Sequence, residues 1–298
     1  MRLKRTTALI GAAVMAFALA ACGDAGDDDE GTGAADVAED AADEFEDGTA
    51  MKKWAEDGKI TIGVKFDQPG IGEKGATDDI PSGFDIEIGK IIAGKLGIDG
   101  TDPDQVEWKE TISDNREPFL QEGEVDLVIA SYSITDERRQ LVGQTGPYYV
   151  TGQQLLVKSD SDIDGVKDIK GKEVCSVTGS TSLDNVEAKG AKPRGFDTYS
   201  ECVDQVLNGT VDSMTTDGAI LLGYAAQNPD ELKVVGEPFS EERYGIGYSK
   251  DSPEVCEFLN ETLEESFENG DWDDAFQATL GKSGVDTPEP PKLDECQS

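Results

Sequence analysis

Cysteine and histidine limit the chemistry open to this chain, which has 298 residues, five cysteines and no histidine. The lack of histidine excludes Ser-His-Asp and Cys-His hydrolases, histidine general bases and histidine-ligated metal sites. Four cysteines, Cys175, Cys202, Cys256 and Cys296, form an even set, which in an exported chain favours disulfides. Of the three possible pairings we favour 175–202 and 256–296, whose partners lie in the same stretch of the chain. A zinc site of four thiolates is discounted because no Cys-x-x-Cys spacing occurs, so we expect no metal and no cofactor.

The remaining cysteine, Cys22, ends a leader with the features of a secretory signal. Three basic residues lie within Met1–Arg5, and an apolar run from Ala8 to Ala21 is too short to span a bilayer. The run closes with Leu19-Ala20-Ala21-Cys22, which matches the bacterial lipobox. A lipobox implies removal of residues 1–21, a diacylglycerol thioether on the Cys22 sulfur and acylation of its amine; ordinary cleavage beside an incidental cysteine is the alternative. We therefore expect an extracytoplasmic protein, anchored to the cell membrane by lipid on Cys22.

The acidic balance of the chain limits its partners. Lys and Arg number 26 against 63 Asp and Glu, a net charge of −37, which excludes a nucleic-acid binder because such proteins need clustered basic residues. Residues 23–50 contain twelve acids, no base and one aromatic residue, Phe45. A segment of this composition repels itself and buries too little apolar surface to fold. We predict a lipid-anchored, acidic, disordered tether over residues 22–50.

The body of the chain has a repeated strand–helix pattern. Alternating residues predict a strand over 59–65, and apolar residues at helical spacing predict a helix over 84–96, followed by a strand at 106–110, a helix at 115–121 and a strand at 125–130. The pattern restarts at Gln153, with strands at 153–158, 173–177, 211–216, 232–235 and 245–248 and helices at 202–207, 219–227 and 253–269. Such alternation predicts two successive α/β units with parallel pairing. The Pro-rich tail, residues 286–298, is expected to be irregular.

Short polar and glycine-containing segments are spread through this body. In order, they are Gly63-Val-Lys-Phe-Asp-Gln-Pro-Gly70, Gly83-Phe-Asp-Ile-Glu-Ile88, Asn115-Arg116, Gly123-Glu-Val-Asp-Leu127, Ser131-Tyr-Ser-Ile-Thr-Asp-Glu-Arg138, Gly146-Pro-Tyr-Tyr149, Val177-Thr-Gly-Ser-Thr-Ser182, Val211-Asp-Ser-Met-Thr-Thr-Asp217, Tyr244-Gly-Ile-Gly247 and Asn269-Gly-Asp-Trp272. In this order, behind a lipobox, they resemble the polar-amino-acid solute-binding proteins of bacterial ABC importers. The resemblance is greatest to the glutamate-binding lipoproteins of actinobacteria.

The resemblance, which runs from about residue 59 to 281, implies an α/β fold. It is the two-lobed fold of periplasmic binding proteins, with two mixed sheets joined by a two-segment hinge. Lobe 1 would comprise residues 51–150 and 244–285, and lobe 2 residues 153–240. The crossing segments would lie near 150–152 and 239–243, and the ligand would bind in the cleft between lobes that close around it.

The resemblance also assigns the residues that would bind an amino acid. Arg138 matches the arginine that grips the α-carboxylate, for which a guanidinium offers a two-pronged donor. Asp217 matches the carboxylate that receives the ammonium group; capping of the helix from Ala219 is the alternative, and the two roles are compatible. Ser131, by its backbone carbonyl, and Ser133, by its hydroxyl, match ligand contacts of one loop. In the loop at 178–182, Thr181 and then Ser180 are expected to complete the carboxylate shell.

Two further cations favour an acidic ligand. Arg116 and Lys65 match positions that in acidic-amino-acid binders face the distal carboxylate, which favours glutamate over glutamine. The alternative for Arg116 is an exposed helix residue paired with Glu117 or Glu122. Asp67 would orient these cations, whereas Arg139 is expected to be an ordinary surface arginine. This chain lacks the aromatic residues that in many members follow the first strand and sandwich the ligand, and it lacks histidine, so its side-chain pocket departs from theirs.

Together these residues predict a receptor rather than an enzyme. We expect a monomer that binds an amino acid, L-glutamate in the first place, and delivers it to the permease of an ABC transporter. Glutamine, aspartate and asparagine are alternative ligands. The alternative from another class is an exported dehydratase on the same fold, which would need a general acid or base over the substrate.

Overall fold

The computed structural model describes residues 36–296, which contain two five-stranded sheets. In lobe 1 the strand order is β4-β1-β5-β12-β6, with β1 parallel to β4 and β5, and β12 antiparallel to β5 and β6. The strands are β1 (Ile60–Val64), β4 (Val106–Glu110), β5 (Leu127–Val128), β6 (Gly143–Thr151) and β12 (Glu242–Tyr248), and a hairpin of β2 (Asp67–Gln68) and β3 (Gly72–Glu73) follows β1. The helices of this lobe are α1 (Ala50–Asp57), α2 (Phe84–Lys95), α3 (Arg116–Glu122), α4 (Asp136–Leu141), α8 (Val255–Asn269) and α9 (Asp271–Ala278).

Lobe 2 contains the second sheet, in the order β11-β7-β10-β8-β9. Its strands are β7 (Gln153–Lys158), β8 (Glu173–Val177), β9 (Lys192–Phe196), β10 (Ser213–Asp217) and β11 (Leu232–Val235), and its helices are α5 (Thr181–Ala188), α6 (Tyr199–Leu207) and α7 (Gly218–Gln227). Strands β10, β8 and β9 are parallel, while β7 is antiparallel to β10 and β11. The predicted two-lobed α/β fold with two mixed sheets is therefore confirmed.

The edge strand β9 is one element that the sequence pattern did not predict. Its residues, Lys-Pro-Arg-Gly-Phe, are mostly exposed and do not alternate between apolar and polar. Proline is tolerated there because an edge strand leaves one row of backbone groups unpaired. Pairing with β8, rather than local preference, makes this segment a strand.

Two chain segments cross between the lobes side by side. The chain leaves lobe 1 at the end of β6 and enters β7 through Gly152, and it returns through Ser240 into β12. The Phe239 amide donates to the Gln153 carbonyl at 3.0 Å, which holds the segments together. A Cβ on Gly152 would lie 2.6 Å from the Ser240 carbonyl oxygen, so this close approach requires glycine.

The core of lobe 1 is centred on Phe84, the first residue of α2. Its ring contacts four others, Tyr148, Tyr149, Trp272 and Phe276, with ring centroids 5.4–6.0 Å apart. Aromatic pairs at such distances contribute beyond their buried area. Trp272, from one of the segments that carry the family resemblance, is thus a core residue, and its indole N–H donates to the Tyr148 carbonyl at 2.8 Å.

The prediction of disorder up to residue 50 is wrong for the part that the structure describes. A short 3-10 helix forms at Ala41–Glu44, with Ala41 buried, and the Ala38 amide donates to the Gly94 carbonyl at 2.9 Å. The ring of Phe45 packs edge-on against Phe258, with centroids 5.6 Å apart. A few apolar contacts therefore hold a segment whose acidic composition predicted disorder. Residues 22–35 of the predicted tether lie outside the described residues.

Two disulfides are present, with the pairing favoured above. Cys175–Cys202 joins β8 to α6, and Cys256–Cys296 ties the C-terminal tail to α8. In the chain-entropy model, loops of 27 and 40 residues correspond to about 3.5–4 kcal/mol each. The described part of the tail is irregular, as predicted, yet it is held in place.

Asp294 of this tail binds two arginines at once. Its carboxylate contacts Arg139 at 2.7 Å and Arg243 at 2.6 Å, and its amide donates to the Gly146 carbonyl at 2.7 Å. Arg139 was expected to be an ordinary surface arginine; instead its side chain is mostly buried in this ion pair. Sequence spacing could not indicate a partner 155 residues away. Among residues 36–296, no helix combines the length and the apolarity needed to cross a membrane.

We expect Phe45→Ala to lower the free energy of unfolding by about 1–2 kcal/mol, because it removes a half-buried ring from Phe258. Val37→Ala, at a side chain that is 44% exposed, is the control and should change stability by less than about 0.5 kcal/mol. Urea unfolding followed by circular dichroism measures both. Equal stability of the two variants would mean that this segment does not pack in solution.

Candidate functional site

The loop that leaves β5 is held in an unusual backbone conformation. Ser131 has a φ of 42°, in the left-handed region that residues with a Cβ rarely adopt. Its amide donates to Asp85 Oδ2 at 2.7 Å, and the Tyr148 hydroxyl donates to Asp85 Oδ1 at 2.6 Å. Burial raises the pKa of Asp85 to about 6. Asp85, which the sequence pattern did not single out, thus positions Ser131; its only signal was a carboxylate in the first turn of an apolar helix.

Arg138 lies in α4, where Thr135 caps the helix by accepting from the Arg138 amide at 3.2 Å. The guanidinium points into the cleft between the lobes. It donates to the Ser133 carbonyl at 2.7 Å and to the Gly179 carbonyl of lobe 2 at 2.9 Å, and its Nε lies 3.2 Å from Glu117 Oε1. All three nitrogen atoms of the guanidinium group therefore have partners.

Arg116 begins α3 and is only 2% exposed, so the alternative of an exposed helix arginine is wrong. It donates to the carbonyls of Ser113 at 3.2 Å, Ala130 at 3.3 Å and Ser131 at 3.4 Å. Its second terminal nitrogen donates to the Gly179 carbonyl at 3.1 Å. Burial, and then the positive charge of Arg138, lower the pKa of Arg116 to about 10.

The two arginines thus converge on a single oxygen atom, the Gly179 carbonyl. Both guanidinium groups also lie over the ring of Tyr132, 4.6 and 5.0 Å from its centroid. Donors from two guanidinium groups that meet at one acceptor form an anion-binding arrangement. The sequence predicted separate partners for these arginines, whereas the structure brings them to the same point.

Lys65 directly follows β1 and is 4% exposed. Its ammonium group donates to Ser113 Oγ at 2.9 Å, and among the described residues no carboxylate lies within ion-pair distance of it. Burial lowers the pKa of Lys65 well below its usual value, and the charge of Arg116 adds to this effect. A buried ammonium group without a counter-charge is costly, which makes Lys65 a ready partner for an anion.

Asp217 is the negative group of the cleft. It ends β10, and its Oδ2 accepts from the Tyr244 hydroxyl at 2.6 Å, while Oδ1 is buried without a partner among the described residues. Burial, and then the charge of Glu242, raise the pKa of Asp217 to about 7. Asp217 occupies the N-cap position of α7, as the alternative expected, but its side chain makes no capping bond to the helix. The unpartnered oxygen is suited to a cationic donor.

The loop before α5 uses its hydroxyl groups within the protein. Ser180 Oγ accepts from the Leu183 amide at 3.1 Å, as a helix cap, and donates to the Val177 carbonyl at 2.7 Å. Thr181 Oγ1 donates to Glu242 Oε2 at 2.9 Å, across the lobes. Ser180 and Thr181 both line the cleft. Their hydroxyl groups, however, already bond other groups of the protein.

Asp67 does not lie where the sequence pattern predicted it. Its Oδ2 accepts from the backbone amides of Tyr199 at 2.7 Å and Ser200 at 3.1 Å, at the start of α6 in lobe 2. The expectation was that Asp67 orients Lys65 and Arg116; its carboxylate instead bonds α6, and its charge raises the pKa of Lys65. Asp67 is the first residue of β2 and is not among the residues that line the cleft.

The predicted residues are otherwise brought together. Seven of the nine predicted positions line one small cleft between the lobes, with Ser113, Ser182 and Tyr199 as additional lining residues; the seven are Arg116, Ser131, Ser133, Arg138, Ser180, Thr181 and Asp217. Lys65 reaches this cleft through Ser113. Ser113 follows the end of β4. Because α/β proteins bind ligands in the crevice beyond the carboxyl ends of parallel strands, this position was a signal in the sequence that could have identified Ser113 as a cleft residue.

The cleft is closed in this structure. The cavity volume that remains is about 10 Å³, room for about one water molecule. An amino acid can therefore enter only when the lobes move apart at the two crossing segments. Because Gly179 belongs to lobe 2, opening also removes its carbonyl from Arg116 and Arg138 and leaves their donors available.

Comparison with known proteins agrees with this geometry. Residues 60–282 match the family of bacterial extracellular solute-binding proteins, family 3. The chain belongs to this family. This solute-binding protein is 39% identical over 289 residues to the glutamate-binding protein GluB of Corynebacterium efficiens, covering 93% of this chain and 91% of that protein.

Two further matches differ in the ligand that is named. A glutamine-binding protein of Geobacillus stearothermophilus is 39% identical over 216 residues, covering 71% of this solute-binding protein and 80% of that relative. Among solved structures, an ancestral arginine-binding protein bound to glutamine superposes with a TM-score of 0.69 at 38% identity, covering 75% of this chain and 98% of that one. Proteins that resemble this chain are therefore named for different amino acids.

We expect Asp217→Asn to be more stable than the natural protein, and more so at high pH. Because the folded-state pKa is raised, the contribution of Asp217 to stability is fully present below the pKa of the unfolded chain, about 3.9, and is lost as pH rises through about 7. The difference should grow from near zero at about pH 4 to about 3–4 kcal/mol above pH 7.

Urea unfolding across this pH range measures the difference, and Asp85 contributes equally to both proteins. Asp204→Asn, at an exposed aspartate of α6, is the control and should track the natural protein. A pH-independent difference for Asp217→Asn would show that Asp217 titrates normally in the folded state.

Proposed function

We propose that this solute-binding protein is an extracytoplasmic, lipid-anchored receptor that binds L-glutamate between its closing lobes and delivers it to the permease of an ABC transporter. The observation that carries the proposal is the charge arrangement of the cleft. Two buried cations, Arg116 and Arg138, line a space that also contains the unpartnered oxygen of Asp217, and a third, Lys65, is linked to it through Ser113. Such an arrangement complements a molecule with two carboxylates and one ammonium group.

The α-carboxylate has a site where the two arginines meet. The Gly179 carbonyl oxygen accepts from Arg116 and Arg138 in the closed structure, and a ligand carboxylate would take over these donors when lobe 2 moves away. Charge-assisted, two-pronged bonds of this kind are among the stronger hydrogen bonds in proteins. The ammonium group would donate to Asp217 Oδ1, which satisfies a buried acceptor that otherwise has no partner among the described residues.

Lys65 supports glutamate over glutamine. Its ammonium group is buried with Ser113 as its hydrogen-bond partner, so a distal carboxylate would supply the missing counter-charge, whereas a distal amide would leave the charge uncompensated. Local positive charge is needed because the chain as a whole is strongly acidic and its field opposes an anionic ligand within a Debye length of about 8–10 Å. The naming of GluB as a glutamate-binding protein is consistent with this choice.

The remaining parts of the proposal rest on the family and the leader. Delivery to a permease requires that ligand binding shifts the lobes to the closed form that docks. The lipobox at Cys22 supports anchoring to the cell membrane, and residues 1–35 lie outside the described residues. The relatives compared above are named as binding proteins, which supports a receptor rather than a dehydratase.

We expect calorimetric titration to rank glutamate above glutamine, aspartate and asparagine, and Lys65→Met to reverse the order of the first two. Removing one partner of a buried charge pair should weaken glutamate binding at least about 30-fold and leave glutamine binding nearly unchanged. Lys65 is preferred to Arg116 because loss of Arg116 would also strip three backbone carbonyls of their donors.

Lys74→Met is the matched control. Lys74 follows the β2–β3 hairpin, its ammonium group lies over the ring of Phe66, and it is not among the residues that line the cleft. This variant should bind glutamate like the natural protein. Glutamine as the tightest ligand of the natural protein, or an equal loss for both ligands in Lys65→Met, would contradict the assignment of glutamate.

Anchoring predicts that Cys22→Ala moves the protein from the membrane fraction to the soluble fraction, because the thioether can no longer form. Fractionation of cells that express each form, with radiolabelled palmitate to follow acylation, measures this. A natural protein that takes up no label, or a Cys22→Ala variant that stays with the membrane, would rule out anchoring at this residue.

A further inference from the structure

We propose that the lobe 1 hairpin of residues 67–73 is a closure contact against α6 and α7 of lobe 2, which sets the affinity for every amino acid without touching the ligand. The closure contact comprises this hairpin together with Tyr199, Ser200, Gly223, Tyr224 and Gln227. The inference rests on the proposed function only in requiring that the lobes close around an amino acid.

Asp67 provides the first part of the contact. Its carboxylate accepts from two backbone amides of lobe 2, those of Tyr199 at 2.7 Å and Ser200 at 3.1 Å. The first amides of a helix have no partner within the helix, and the helix dipole favours a negative charge there. Thr198 already caps the same helix from within lobe 2, by accepting from the Glu201 amide at 3.4 Å. Asp67 therefore satisfies amides that Thr198 leaves over, and it can do so only when the lobes are closed.

One face of α7 provides the second part. The Tyr224 hydroxyl donates to the Asp67 backbone carbonyl, and Gln227 Nε2 donates to Glu73 Oε1 at 3.0 Å. Gly223, on the same face, lies directly under Pro69. A Cβ at Gly223 would come within 2.4 Å of the Pro69 carbonyl oxygen, so the close approach of the hairpin requires glycine there.

The closure contact lies beside the amino-acid site, and the hairpin touches that site through the bond that Gln68 Nε2 donates to Ser131 Oγ at 3.0 Å. Tyr199 is the one residue of the closure contact that also lines the cleft. Tyr199 bonds Asp67 through its backbone amide rather than through its side chain. The energy of the closure contact therefore adds to the stability of the closed form whatever side chain the ligand carries. A contact that is present only in the closed form lowers the apparent dissociation constant of all ligands by the same factor.

Tyr224→Phe and Gly223→Ala test this directly. Each should weaken glutamate and glutamine binding by the same factor, about 5- to 30-fold, as expected for loss of one or two hydrogen bonds or for a steric clash at closure. The loss should appear as faster dissociation with unchanged association, because the contact forms after the ligand has entered. Stopped-flow fluorescence and calorimetry measure these quantities.

Gly223→Ala also separates closure from folding. Alanine is preferred to glycine in a helix interior, so the free energy of unfolding should rise or stay the same while binding weakens. A variant that binds poorly because it is unfolded would behave in the opposite way.

Asp67 and Thr198 form the matched pair, because both cap α6 but from different lobes. Asp67→Ala should weaken binding of both ligands equally, and Asp67→Asn, which keeps a capping oxygen, should recover most of the affinity. Thr198→Ala should lower the unfolding free energy and leave affinity unchanged.

Unchanged affinity in Tyr224→Phe and Gly223→Ala would overturn the closure contact. A loss in Asp67→Ala that is confined to glutamate would also overturn it, since Asp67 would then act through the charge of Lys65. These outcomes are distinct from failure of the proposed function: if glutamine proves the tightest ligand, the glutamate assignment fails, but equal losses for both ligands would still support the closure contact.

Discussion

The burial of cations in the cleft is the constraint on which the rest of the structure depends. A guanidinium group removed from water needs a partner for each N–H. Arg116 finds these partners in the carbonyls of Ser113, Ala130 and Ser131, which follow the carboxyl ends of β4 and β5. Because β4, β1 and β5 are parallel neighbours, their exit loops meet at one edge of the sheet and supply carbonyl oxygens together. The topology of lobe 1 is thus what makes a buried arginine tolerable there.

The site is held at some cost to stability. Lys65 has no carboxylate partner among the described residues, and one oxygen of Asp217 is buried without a donor there. Neither group is fully paired within the protein, and each would be completed by a charge of opposite sign, which the ligand proposed above would supply. The aromatic core around Phe84 and the two disulfides offset this cost away from the cleft. Asp85 links the two regions, since it bonds the core residue Tyr148 and the cleft residue Ser131.

Two sets of contacts between the lobes have different consequences for closure. Inside the cleft, the Gly179 carbonyl engages both arginines, so the ligand carboxylate proposed above would compete with the protein backbone for the same donors. At the mouth, Asp67 and Tyr224 join the lobes through groups that no ligand displaces. The contact of the Gly179 carbonyl would therefore oppose a closed form that contains a ligand carboxylate. The contacts of Asp67 and Tyr224 would favour the closed form whichever ligand is bound. The balance between them determines how strongly ligand binding shifts the lobes.

The pattern of residues along the chain predicted many of the helices and strands, and the family resemblance predicted most of the cleft residues, but neither decided the contacts between the lobes. Periodicity predicted α2 and β1 from the spacing of their apolar residues, although both elements are buried on nearly every side. The family resemblance assigned Arg138 to the ligand site. Composition misjudged Phe45, because a mean charge cannot show that one ring has a partner more than 200 residues away. The roles of Asp67 and Asp294 were decided by the tertiary structure. Each carboxylate bonds groups that are distant in the chain, and only the placement of one lobe on the other, or of the tail on lobe 1, brings those groups within reach.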